Sequence, residues 1–110
     1  MKTMFIAVTC IVHLFLTNIT AGCITLVENG ASDYSIVLGR DASPSEIHGA
    51  RELQSFLEII SGAMIPINRD NQESAGPMIL VGNSSRLQSI APDVDIAALA
   101  RDGFIIKTSG

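Results

Sequence analysis

Apolar residues along the chain follow three different spacings, and each spacing predicts a different kind of element. An uncharged, largely apolar run extends from Met4 to Leu16. Short β-branched stretches, "CITLVE", "YSIVLG", "AMIPI", "MILVG" and "GFIIKT", recur between turn-forming residues and read as strands. Between residues 44 and 62 the spacing changes to that of a helix. At about 100° per residue, Ala50, Leu53, Phe56, Leu57 and Ile60 share an arc of roughly 120°, the width of a core-facing stripe.

The ends of that helix are written in its flanks. Ser43 and Glu46 are spaced as a capping box, in which each side chain satisfies the other's backbone amide. Pro44 suits the first helical position, and Gly62 supplies the left-handed residue that stops the helix. A second, short helix is expected after "VGNSS", capped by a serine or asparagine and running through Leu87. In "PDVDIAALARDG", Asp95 is placed to cap the apolar run 96–100, with Gly103 as the stop. The resulting order, β, β, α, β, β, α, β, implies an α+β fold with helices packed against a sheet. With 110 residues there is room for one small domain.

The N-terminal run reads as an export signal covering residues 1–22. Lys2 provides its positive start, and Thr20, Ala21 and Gly22 provide the small residues of a processing site. Thirteen residues make only about 20 Å of helix, short of the roughly 30 Å needed to cross a bilayer. Two fates are open at its end. "NITAGC" resembles a lipobox, which would make Cys23 a lipidated first residue held to a membrane by its acyl chains alone. Ordinary cleavage near Ala21 is the other. Either way the protein is expected outside the cytoplasm, in the periplasm, the envelope or the medium.

Composition narrows the partners. The net charge is −4, becoming more acidic once Lys2 is removed; Lys and Arg are scattered singly and Trp is absent, so no nucleic-acid footprint is present. Cys10 lies in the leader, which leaves Cys23 without an intramolecular disulfide partner. The domain has to be held by its core.

Candidate chemistry is thin. His48, Arg51, Glu52, Ser55 and Glu58 fall on the polar side of the long helix, where a His48–Glu52 pair is worth a few tenths of a kcal/mol. A zinc site of the H-E-x-x-H type is absent, because position 52 is Glu and His13 lies in the leader. Ile59 is an apolar residue near the polar arc, a candidate contact for another domain. The free amides of "VGNSS" are placed to hold an anion, yet the lysine and spacing of a phosphate loop are missing, and helix capping accounts for the same residues. Asn83-Ser84-Ser85 also fits a glycosylation acceptor. Asp93, Asp95 and Asp102 are the nearest approach to a carboxylate cluster, but Asp95 has the position of a cap. No catalytic, cofactor or metal site is assigned, and Cys23 is the single candidate modification site.

Taken together, "GARELQSFLEIISGAMIPI", "MILVGNS" and "RDGFIIKTSG" resemble the N-terminal domain of family 67 alpha-glucuronidases and similar multidomain glycoside hydrolases. The matching positions are Ala50, Glu52, Leu53, Leu57, Ser61, Gly62, Ile65, Pro66 and Ile67, then Ile79, Val81 and Gly82, then Asp102, Gly103, Phe104 and Ile106. The resemblance spans residues 24–110. It implies a two-layer α+β unit, a mixed β-sheet with helices packed on one face, like the accessory domain preceding the barrel of hexosaminidases. It further implies that catalysis belongs to a following (β/α) barrel, which this chain has no length to contain, so residues 23–110 are expected to be a domain incomplete at its C-terminus. The implied function is that of a non-catalytic accessory domain of an exported glycoside hydrolase, with a polysaccharide such as glucuronic-acid-bearing xylan nearby. A free-standing envelope lipoprotein or glycan-binding module is the alternative. Of the aromatic residues past the leader, Tyr34, Phe56 and Phe104, two read as core, Phe56 being on the buried stripe of the long helix.

Overall fold

The computed structural model describes residues 22–109. The expected leader, residues 1–22, lies outside them except for Gly22. Cys23 is exposed with a free thiol. Among the described residues no helix is long and apolar enough to cross a membrane.

Five elements make up the domain: β1 (Ser35–Leu38), α1 (Pro44–Ser61), β2 (Ile67–Arg69), β3 (Met78–Val81) and α2 (Ser85–Ile90). The expected α+β arrangement is present, a small sheet with helical cover. The sheet has the order β2-β1-β3 and all three strands run parallel. Ile36 lies opposite both Ile67 and Ile79, and Leu38 opposite Arg69 and Val81. β1 is the central strand, and every one of its residues is buried. That is why "SIVL" has no alternation of polar and apolar residues, as in parallel strands covered on both faces.

Successive side chains of a strand point to opposite faces. Ile36 and Leu38 face α1 and form the core with Ala50 and Ile65, flanked by Ile47, Leu53, Leu57, Ile67, Ile79 and Val81. On the other face the Ser35 and Ser74 hydroxyls meet at 2.9 Å. The β2–β3 connection therefore runs beneath β1, crossing from one edge of the sheet to the other.

Helix α1 begins and ends where its capping residues require. Ser43 Oγ accepts the Glu46 amide at 3.2 Å while Glu46 Oε2 accepts the Ser43 amide at 2.7 Å. Gly62 stops the helix with φ 77°, its amide returning to the Glu58 carbonyl at 2.7 Å. The buried arc, however, is rotated from the predicted one. Ile47, Ala50, Leu53 and Leu57 meet the sheet, whereas Phe56 and Ile60 are exposed. Gln54 and Ser61 lie on the buried side because their polar atoms are satisfied there. Gln54 Nε2 donates to the Ile65 carbonyl at 2.7 Å, and Ser61 Oγ to the Leu57 carbonyl at 2.5 Å. A three-stranded sheet is only about 10 Å between its outer strands, so it covers part of a wide apolar face and leaves the rest in solvent.

Four expected elements do not form as such. "CITLVE" is not a strand: its Asn29-Gly30 turn forms, with φ 51° and 75°, but it is closed by one bridge between Glu28 and Ala31. In "AMIPI" the strand starts only at Ile67, although the Pro66 carbonyl already accepts the Ile36 amide at 2.8 Å. Ala63 and Ile65 are buried in extended chain ahead of it. "GFIIKT" pairs with nothing among the described residues, and Phe104, Ile105 and Ile106 are exposed. The run 96–100 makes turns instead of a helix. So short a segment gains too few hydrogen bonds to offset helix nucleation.

Candidate functional site

In open sheets of parallel strands, ligands are held in the crevice outside the carboxyl ends, at the point where the strand order reverses. Here β1 connects to β2 on one side, and β3 lies on the other, so that point falls between the ends of β1 and β3. A polar crevice of about 650 Å³ opens there. Gly39, Arg40 and Asp41 follow β1, Asp70 follows β2, and Asn83 to Ser85 follow β3, with the first turn of α1 alongside.

The amides that sequence pattern offers to an anion are present in this crevice, but the chain's own carboxylates occupy them. Glu46 Oε1 accepts the Asn83 amide at 2.8 Å, while its other oxygen holds the Ser43 amide. Asp70 Oδ2 accepts the Ser85 amide at 2.9 Å and the Ser85 hydroxyl at 2.8 Å. Ser84 caps α2, its Oγ accepting the Leu87 amide at 3.0 Å, as the capping reading of "VGNSS" requires. The Arg69 guanidinium completes the lattice by donating to the Gly39 carbonyl at 3.0 Å.

These contacts set the protonation states. The Ser43 amide, then the Asn83 amide, hold the Glu46 carboxyl below the ordinary glutamate range, against a smaller opposing effect of burial. The Ser85 amide and hydroxyl do the same for Asp70. Hydrogen bonds to a charged form favour it, so both groups are firmly ionised at neutral pH. A general acid or base works best with a pKa near the operating pH, and both groups are tuned away from that value. What the geometry shows them doing is joining backbone segments across the crevice.

Two glycines let the loops approach this closely. A Cβ on Gly39 would overlap the Asn83 carbonyl oxygen, and one on Gly82 would overlap the Glu46 carboxylate. Gly82 also has φ 75°, a left-handed conformation that glycine adopts without cost.

The other residues singled out by pattern are not assembled. His48 and Glu52 are exposed on the outer side of α1, and neither side chain has a hydrogen-bond or ion-pair partner among the described residues. Asp93 is engaged by Lys107, whose Nζ lies 2.6 and 2.9 Å from its two oxygens; this holds the Asp93 carboxyl below its ordinary range. Asp95 Oδ1 accepts the amides of Ala97 and Ala98 at 3.0 and 3.3 Å, capping a turn where a helix was expected. Asp102 is exposed. No group of three or more His, Cys, Asp or Glu placed to hold a metal ion occurs among the described residues.

What pattern reading missed is an apolar surface. Phe56, Ile59 and Ile60 are 57%, 76% and 79% exposed, and Met64 just beyond the helix is exposed as well. At helical spacing the first three share one side of α1, adjacent to the buried arc. Phe104 and Ile106 add 79% and 87% exposure in the C-terminal segment. Ile59, out of place on a polar arc, was the one residue that signalled this surface.

Comparisons with protein-family models, with curated proteins and with solved structures return no match to the chain. Fold and crevice define the class: a small α+β domain on a three-stranded parallel sheet, whose carboxyl-end crevice is closed by internal carboxylate–amide bonds.

Proposed function

We propose that this chain is a non-catalytic accessory domain of an exported, alpha-glucuronidase-like carbohydrate-active enzyme, with the chemistry carried by a separate (β/α) barrel domain. The observation that carries the reading is the exposed apolar side of α1. Isolated apolar residues on a surface are ordinary. A stripe of Phe56, Ile59 and Ile60 on one side of a helix, with Met64 exposed just past its end, is a patch of the kind that marks a protein contact. The resemblance in "GARELQSFLEIISGAMIPI" supplies the kind of partner, and the Met4–Leu16 run with its small-residue ending supplies the route out of the cell. Cys23 is exposed, as a lipidated residue must be, and attachment there would place the domain in the envelope.

The test has two parts. Reading the coding sequence past the codon for Gly110 is expected to show a barrel in frame. In the joined protein, Ile59→Asp with Ile60→Asp is expected to lower thermal stability while leaving the unfolding of the domain alone unchanged. A barrel that tolerates both aspartates would remove α1 as the contact and with it the basis of the proposal.

A second reading is favoured by the aromatic residues. Phe56, expected in the core, and Phe104 are both exposed, and exposed rings are what a glycan-binding module uses to stack sugars. Calorimetric titration with glucuronic-acid-bearing xylo-oligosaccharides distinguishes the two. Binding abolished by Phe104→Ala supports the module, and an absence of heat supports the accessory domain.

A further inference from the structure

The two edges of the sheet are not equivalent. Just past β2 the Asp70 amide bonds the Leu38 carbonyl, so Arg69 faces away from β1. Gln72 closes that position from both sides: its Oε1 accepts the Arg69 amide at 3.0 Å, and its own amide donates to the Arg69 carbonyl at 3.0 Å. In β3 the Pro77 carbonyl accepts the Ser35 amide, so by the alternation of a parallel ladder residues 77, 79 and 81 face β1, whereas Met78 and Leu80 face outward. No strand or capping side chain among the described residues covers that side. An uncovered edge of this kind is a template for another strand.

The same chain carries a strand without a sheet. Phe104, Ile105 and Ile106 are followed by Lys107 and Thr108, a composition that favours pleated structure. They have no regular secondary structure, are exposed, and make no backbone hydrogen bond to β3. Lys107 is held by Asp93, three residues beyond α2, so the segment is tethered next to the element that follows β3. An uncovered edge and an unpaired strand-forming segment are thus displayed on one molecule without engaging each other.

We propose that the free edge of β3 binds the Phe104–Thr108 segment of a second copy of this chain, two such exchanges closing a two-fold dimer. The occupant is a second copy because the surface is self-complementary, an unpaired edge and an unpaired strand on the same protein. A reciprocal contact closes without leaving either half open. Recognition is by main-chain hydrogen bonds to Met78 and Leu80, the mode of strand addition. It also covers apolar side chains of the segment that are otherwise in solvent. This inference does not rest on the accessory-domain reading, since it uses the sheet edge and not the α1 surface.

The experiment compares the full chain with Ile105→Pro by sedimentation and amide hydrogen exchange. The segment is exposed, so the substitution leaves the fold intact, and proline both removes a donor and resists pairing in a ladder. The expected result is a dimer with slow exchange at Phe104–Thr108 and at Met78 and Leu80. Ile105→Pro should weaken the dimer by roughly tenfold or more. A synthetic peptide spanning residues 103–109 should compete for the edge and yield monomers. Three results overturn the proposal. The first is a monomer into the high micromolar range with fast exchange throughout the segment. The second is a monomer in which the segment is protected, showing that it docks on its own β3. The third is a dimer indifferent to Ile105→Pro, showing that copies meet elsewhere.

Discussion

The Glu46 carboxylate accepts the backbone amide of Asn83 at 2.8 Å, joining residues 37 positions apart in the chain. Its second oxygen closes the capping box with Ser43, so one side chain fastens the start of α1 to the loop after β3. Removing it frees two amides at once. Glu46→Ala is expected to cost about 1 to 2 kcal/mol, the upper part of what a helix cap contributes, because the two lost bonds are charge-assisted. Glu46→Gln should cost less than the alanine. Urea unfolding of the three proteins checks both statements.

The depressed carboxyls of Glu46 and Asp70 make stability depend on pH with a definite sign. A group whose pKa is lower in the folded state contributes its full stabilisation above its unfolded pKa and loses it as pH falls through the folded value. Stability should therefore be level through neutral pH and decline below about pH 4. In the Glu46→Gln, Asp70→Asn double variant the decline should be shallower. Unfolding midpoints measured from pH 7 downward would show it, and parallel acid slopes for both proteins would contradict the assignment.

Gly39 and Gly82 are expected to tolerate substitution poorly, for different reasons. At Gly39 the added carbon would meet backbone, the Asn83 carbonyl oxygen, which cannot swing away. Gly39→Ala should cost about 1 to 3 kcal/mol as overpacking. At Gly82 the obstacle is the Glu46 carboxylate together with φ 75°. Gly82→Ala should consequently lose less in a Glu46→Ala background than alone, and a double-mutant cycle measures that difference.

Burial separates Leu38 from His48. Leu38 is 2% exposed between α1 and the neighbouring strands. Leu38→Ala should cost about 2 to 5 kcal/mol through lost transfer energy and a residual cavity. His48→Ala, on the exposed side of α1, should change stability by less than about 0.5 kcal/mol. Thermal denaturation of the two variants is sufficient, and similar losses would mean that α1 is turned the other way.

The sequence by itself determined the local structure. Ser43, Pro44, Glu46 and Gly62 delimit α1 because caps act within one turn of chain. Asn29-Gly30 and Ser84 likewise act on neighbours close enough for their identity alone to decide the outcome. The central strand was legible too, since "SIVL" has no polar face to show to water. Tertiary structure decided everything that depends on how wide the sheet is and where its strands lie. Three parallel strands expose one side of an apolar helix, so Phe56 and Ile60 fall outside a core that periodicity alone would have given them. "GFIIKT" has the composition of a strand but no partner, because β-propensity measures fitness for a surface that other segments have to supply. The amides of "VGNSS" were visible as anion donors, yet only the order β2-β1-β3 brings Glu46 and Asp70 close enough to occupy them.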